Sequence, residues 1–155
     1  MNLFKCVCQG KKKKTVDQKI EEINENIITY QKKKQHLICD DAMTNRLVLI
    51  KYITLYGFQC EEAENGKQAI DLVENNKIIY DIIWMDIKMP KMNGIEATEY
   101  LRKKLHYEGI IIGLTGYVDE LTVNKCYSVG MDHVLSKPFD KNIIKMYVDK
   151  YSQTK

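Results

Sequence analysis

At 155 residues, 45% hydrophobic and 29% charged, the chain has the length and composition of one domain with a full core, and leaves no room for a second. Its net charge of +3 is small and uneven: Lys11 to Lys14 and Lys32 to Lys34 precede the first apolar run and the remainder is near neutral, so nothing argues for nucleic-acid binding through the globular part. Five cysteines without paired zinc spacing, no apolar stretch of membrane-spanning length and no secretory signal pattern favour a reducing, cytoplasmic setting over a disulfide framework.

Residues 1 to about 14 read as a disordered tail. Val16, Ile20, Ile23, Ile27 and Tyr30 then recur in steps of four and three, which predicts a short heptad-like helix. Residues 1–34 are thus expected to be an N-terminal tail and helical extension. Two heptads are marginal alone, so the segment is expected to be a solvated linker or to pair with a partner helix or a second copy in a homodimer.

From Gln35 the chain alternates strand and helix. The run His36-Leu37-Ile38-Cys39 predicts a buried strand ending at Asp40-Asp41, and a helix follows from about Thr44 to Tyr56, stopped by Gly57. Phe58 to Ala63 alternates apolar and polar residues, the pattern of an edge strand. A helix from about Gly66 to Asn75 leads to Ile82-Ile83-Trp84-Met85, a buried strand ending at Asp86. Beyond a loop with Met89-Pro90, a helix is expected from about Gly94 to Leu105, with Ile95, Thr98, Leu101 and Leu105 on one face. The fourth strand runs from Ile110 and ends at Thr115, a helix covers about Glu120 to Val129, and the fifth strand ends at Lys137. The last helix spans about Asp140 to Tyr151, with Ile143, Ile144, Tyr147, Val148 and Tyr151 as its inner face. Five strand-helix units predict a doubly wound α/β domain over residues 35–155, with right-handed crossovers.

In open parallel sheets ligands bind outside the carboxyl ends of the strands, so Asp40, Asp41, Asp86, Thr115 and Lys137 are expected to converge at one edge. Three close carboxylates raise one another's pKa, and a hard cation relieves this. Oxygen ligands completed by waters suit Mg2+. Cys39 has no second Cys or His at ligand spacing and is read as a buried strand residue. With a cation, an ammonium and a hydroxyl accounted for, the missing member is an anion, for which phosphate is the candidate. Asp86 then attacks a phosphoryl group to form an acyl phosphate, Mg2+ and Lys137 neutralise the transferred oxygens, and Thr115 donates its hydroxyl to one of them.

The surrounding residues are specific. Asp40-Asp41 with Asn45-Arg46 just beyond, the stretch Trp84 to Ala97, Leu114-Thr115-Gly116, and Gly130-Met131-Asp132 leading to Leu135-Ser136-Lys137-Pro138-Phe139 resemble the receiver domain of two-component response regulators. The resemblance covers about Gln35 to Tyr151 and is strongest to receivers of hybrid histidine kinases and eukaryotic phosphorelays. It implies a flavodoxin-like (βα)5 sandwich with strand order 2-1-3-4-5. It also implies that Asp86 is the phosphoacceptor for a histidine kinase or histidine phosphotransfer protein. Asp41, Asp86 and the backbone carbonyl of Lys88 would ligate Mg2+, Asp40 would act mainly through water, and Thr115 and Lys137 would hold the phosphoryl oxygens. The Lys137–Pro138 peptide would be cis, and Lys88 and Tyr117 would set the lifetime of the acyl phosphate. Enzymatic activity would be limited to self-phosphorylation and autodephosphorylation. One position departs: Val134 stands three residues before Lys137, where many receivers carry Tyr or Phe. Readout is then expected through backbone movement of the loop after Thr115.

Two other functions use similar groups. An aspartyl-nucleophile phosphatase of the haloacid dehalogenase type needs a second Asp two residues after its nucleophile, where this chain has Lys88, and its motif normally follows the first strand. A phosphorylation-independent scaffold would use the acidic site only to bind metal. His36, His106 and His133 lack the helical, acidic surroundings of a phosphotransfer histidine. With no effector domain after Tyr151, output is expected through a downstream protein effector, the N-terminal helix or phosphate relay, and the initial Met favours a complete small protein over part of a hybrid kinase. Cys6 and Cys8 beside Lys11 to Lys14 form a candidate S-acylated, polybasic tether to the inner membrane surface, and the absence of Gly at position 2 excludes myristoylation.

Overall fold

Apolar content sorts the strands of the sheet. The runs richest in Ile, Leu and Trp need cover on both faces and take the middle, while the two poorer runs form the edges. The computed structural model describes Thr15, Val16, Ile20, residues 35–76 and residues 78–152. Its strands are β1 (Gln35–Cys39), β2 (Gln59–Ala63), β3 (Ile82–Asp86), β4 (Ile110–Thr115) and β5 (His133–Ser136), all pairing in parallel in the order β2-β1-β3-β4-β5. They alternate with helices α1 (Met43–Leu55), α2 (Gly66–Asn76), α3 (Gly94–Lys103), α4 (Glu120–Ser128) and α5 (Lys141–Tyr151). The doubly wound arrangement and its strand order are those expected.

Side chains alternate between two cores. Leu37, Cys39, Ile83, Met85 and Ile111 pack against α2, α3 and α4 through Ile70, Val73, Leu101 and Cys126. Ile38, Ile82, Trp84, Ile112 and Leu114 face α1 and α5 through Leu49, Ile53, Ile144 and Val148. Helix α1 is apolar on its outer side too, where Met43, Leu47, Val48 and Leu55 are exposed.

Three expectations are corrected in detail. Phe58 lies outside β2, because Gly57 turns the chain at φ 87° and the Phe58 N–H bonds back to Ile53. Ile143 is exposed rather than inward, since the buried stripe of α5 is set by Ile144 and Val148. Helix α3 stops at Lys103, and Leu105 packs on the core from the turn beyond it.

The chain divides into two units, Met1–Lys33 and Lys34–Lys155. In the first, Val16 and Ile20 are helical and exposed, while Ile23, Ile27, Tyr30, Cys6, Cys8 and Lys11 to Lys14 lie outside the described residues. Among the described residues no helix is long and apolar enough to cross a membrane.

A buried polar link fastens the last helix to the sheet. His36 is fully buried on β1, its Nδ1 accepts the Trp84 Nε1–H at 3.1 Å, and its Nε2 lies 3.2 Å from the hydroxyl of Ser152, the residue capping α5. An imidazole that accepts at Nδ1 carries its proton at Nε2, so one tautomer satisfies both neighbours. Trp84→Phe removes that donor and leaves a void in the core. It is expected to cost about 2–4 kcal/mol, read as a lower urea midpoint with little change in slope.

Candidate functional site

The strand order reverses between β1 and β3, so the chain leaves these neighbours toward opposite sides and their carboxyl ends open a crevice. Asp40 directly follows β1, Asp86 and Thr115 close β3 and β4, and Lys137 directly follows β5. Backbone bonds continue past the strands and fix these ends: Asp40 N–H to Ala63, Ile87 N–H to Leu114 and Lys137 N–H to Thr115, at 3.1, 2.9 and 2.7 Å.

Asp40, Asp41 and Asp86 each offer a carboxylate oxygen, and these oxygens lie within 4.8 Å of one another. Asp40 is fully buried, Asp86 nearly so and Asp41 exposed. The Lys137 ammonium bridges the two buried acids, at 2.6 Å from Asp40 and 2.9 Å from Asp86. Three carboxylates against one ammonium leave two formal negative charges uncompensated, matching a divalent cation. The donors are all oxygens, so the residues fit a hard ion such as Mg2+.

Burial pushes the Asp86 carboxyl above its ordinary pKa. The hydrogen bond and charge of Lys137 pull it back, while the charge of Asp40 adds to the rise. For Lys137, burial disfavours the ammonium, but its bonds to Asp40 and Asp86 outweigh that and hold its pKa above the usual lysine value.

Asp40 is the most fully engaged of the three acids. Its carboxylate accepts from the Ala42 N–H at 2.9 Å, from Asn45 Nδ2 at 3.1 and 3.2 Å, and from Lys137. The Thr115 hydroxyl donates to the Tyr117 carbonyl at 2.7 Å and accepts the Tyr117 N–H at 3.2 Å. Lys88 and Tyr117 are exposed, and the Lys88 N–H reaches Asp86 Oδ1 at 3.4 Å. Val134 is half-buried and paired with Gly113, and the Lys137–Pro138 peptide is cis. Cys39 is fully buried and burial pushes its thiol up, as suits a core residue.

The loop after Asp86 is held by close approach. A Cβ on Gly94 would collide with the Asp86 carbonyl oxygen, so the start of α3 can lie against the acid only with glycine there. Asn93 and Glu96 close a reciprocal capping box at that end. Beside the loop a cleft of about 930 Å³ opens from Asp41 and Lys88 toward Thr122 and Lys125.

Two structural partners of the acids carried no assigned role in the sequence: Asn45, on the Asp40 carboxylate, and Arg46, on the backbone carbonyls of Asp40 and Asp41. The signal for both is spacing, since residues one helical turn beyond the acidic pair fold back over it.

The family model for the response regulator receiver domain matches residues 37–149. The chain belongs to this family. Receivers are signalling domains of two-component and phosphorelay systems. Among its relatives are hybrid signal transduction histidine kinase H of Dictyostelium discoideum, 37% identical over 112 residues, and sensor protein EvgS of Escherichia coli (strain K12), 34% identical over 134. These matches take in 70% and 86% of this chain but only 8% and 11% of the relatives' lengths. Among solved structures, CheY in the CheX-CheY-BeF3-Mg2+ complex of Borrelia burgdorferi aligns with TM-score 0.71 at 25% identity, covering 78% of this chain and 90% of that one. The receiver of sensor histidine kinase PA1611 from Pseudomonas aeruginosa PAO1, which has a magnesium ion coordinated in its active site cleft, aligns with TM-score 0.68 at 25% identity, covering 76% and 96%.

The raised pKa of Asp86 fixes the sign of a pH effect. The unfolded chain releases this proton at lower pH than the folded receiver, so above the ordinary carboxylate range the group lowers stability. Asp86→Asn stays neutral throughout. In EDTA it is expected to melt higher than wild type at pH 7, with the gap closing as the pH falls to about 4, as followed by circular dichroism.

Proposed function

We propose that Asp86 of this receiver accepts a phosphoryl group from a phosphohistidine on a histidine kinase or phosphotransfer protein. The observation that carries this reading is the shared ammonium: Lys137 touches both buried acids and still leaves two negative charges of the cluster uncompensated. In transfer, an Asp86 oxygen bonds to phosphorus as the donor's P–N bond breaks, and the imidazole leaves with the electron pair and takes up a proton. Asp41, Asp86 and the Lys88 carbonyl would hold Mg2+, which when bound offsets charge on the phosphoryl oxygens. Lys137 faces the same oxygens. Thr115 has one hydroxyl proton, so donating it to the phosphoryl group means giving up the Tyr117 carbonyl, which links occupancy of Asp86 to the loop after β4. Lys88 and Tyr117, both exposed at the mouth, are positioned to govern water access and the lifetime of the acyl phosphate.

The remaining activity is self-phosphorylation and autodephosphorylation, with a protein effector downstream. Lys88 two residues after Asp86 supports this over a phosphatase, because the position lacks the carboxylate a general acid would need. With acetyl phosphate and Mg2+, intact mass should rise by one phosphoryl group in wild type and stay unchanged in Asp86→Asn. Sustained hydrolysis of a small phosphoester would favour the phosphatase, and no Asp86-dependent gain would favour the scaffold.

Residues 35–155 form the receiver in this reading, and residues 1–34 an N-terminal tail and short heptad-like helix. Its heptad segment would pair two copies, and Cys6 and Cys8 with Lys11 to Lys14 would hold it at the inner membrane surface. The support is the sequence pattern alone. Acyl labelling in cells is expected to mark wild type and to be lost in the Cys6→Ser/Cys8→Ser double variant; labelling that persists in the variant counts against the tether.

A further inference from the structure

Arg46 is only 6% exposed, and burying a guanidinium is costly unless its donors are used. It uses them in two directions. Inward, Nη1 donates to the Asp40 carbonyl at 2.8 Å and reaches the Asp41 carbonyl at 3.4 Å. Outward, Nε donates to Glu62 at 2.9 Å and Nη2 to Glu64 at 3.2 Å, where both carboxylates are largely in solvent. Two acids against one guanidinium more than offset its charge, so what it contributes to the acidic pair is direction. One nitrogen of a guanidinium held in place by two carboxylates thus serves successive carbonyls, closely at Asp40 and at longer range at Asp41, and so restrains the peptide planes from which the two side chains leave the backbone.

That constraint matters most for Asp41. Asp40 is oriented by three donors to its carboxylate, whereas among the described residues no donor holds the exposed carboxylate of Asp41. We propose that Arg46 is a positioning residue for the metal, holding the Asp40–Asp41 backbone so that Asp41 and Asp86 address one cation, and anchoring that arrangement to the β2 edge through Glu62 and Glu64. The inference rests on the acidic cluster being a Mg2+ site. A lysine in this place keeps the charge but cannot bridge two carbonyls and two carboxylates from one planar group.

The test is calorimetric titration of MgCl2 into the full chain, with no phosphodonor present, alongside circular dichroism of each variant. Residues that orient metal ligands are typically worth about 10–100-fold in metal affinity. Arg46→Gln is expected to weaken Mg2+ binding by about tenfold or more, with Arg46→Lys in between. In phosphorylation by acetyl phosphate, the Mg2+ concentration for half-maximal rate should rise by a larger factor than the saturated rate falls. Wild-type Mg2+ affinity in folded Arg46→Gln overturns the proposal. Should that variant fail to fold, Glu62→Gln/Glu64→Gln, which alters only exposed partners, carries the same test: weakened binding supports the proposal and unchanged binding overturns it. Asp41→Asn separates the two levels. If it weakens binding while Arg46→Gln does not, only the role of Arg46 falls; if it too binds like wild type, the metal reading falls with it.

Discussion

Lys137 leaves the sheet from the edge strand β5, two strands from Asp86 and three from Asp40, yet its ammonium touches both carboxylates. Only a long unbranched side chain can span the end of β4 in this way, and the strand order determines what it finds there. Two adjacent buried carboxylates in a low-dielectric crevice repel each other and lose hydration, and the shared ammonium repays part of both costs. Taking away one partner of a buried pair typically costs about 3–5 kcal/mol, because the remaining charge stays desolvated. Here one ammonium serves two acids, so the crevice stays folded while still short of positive charge. That shortfall of positive charge is what fits the cluster to a hard cation.

The hydrogen bonds around Thr115 bear on how such a site is read out. Its hydroxyl forms a small ring with the Tyr117 backbone, and the residues just beyond, Tyr117, Val118 and Leu121, are exposed apolar side chains. One proton cannot serve the Tyr117 carbonyl and a phosphoryl oxygen together. At Val134 there is a β-branched side chain lying against Gly113, with Met131 filling the space above that glycine. A valine has one strongly preferred rotamer and no ring to swing, so this position offers little repacking. The surface most directly tied to Thr115 is therefore the loop after β4.

Much of this arrangement was legible in the sequence because it depends on periodicity and strand ends. The uninterrupted runs at Ile82 to Met85 and Ile110 to Leu114 mark central strands, the alternation before Ala63 marks an edge, and a polar residue closing such a run belongs to the crevice. What escaped depends on three-dimensional direction. Ile143 fits an apolar stripe by spacing but sits a helical step from the residues that face the sheet. Spacing puts Asn45 and Arg46 one helical turn beyond the acidic pair, but which carboxylate and which carbonyls they reach depends on direction in space. The bond between Trp84 and His36 joins strands whose pairing register must be known first.

Asp40 and Asp41 illustrate how adjacent identical residues acquire different tasks. Successive side chains leaving a strand point to opposite sides, so one of the pair must turn inward and the other out. The inward one, Asp40, meets Lys137, Asn45 and the Ala42 N–H, and its lone pairs are largely committed to protein donors. Its charge fixes the position of the ammonium and so tunes Asp86. The outward one, Asp41, is exposed at the mouth of the crevice, and among the described residues no protein donor holds its carboxylate. A single aspartate could not be both rigidly held and open, since the donors that hold a carboxylate occupy the lone pairs that any further ligand would need.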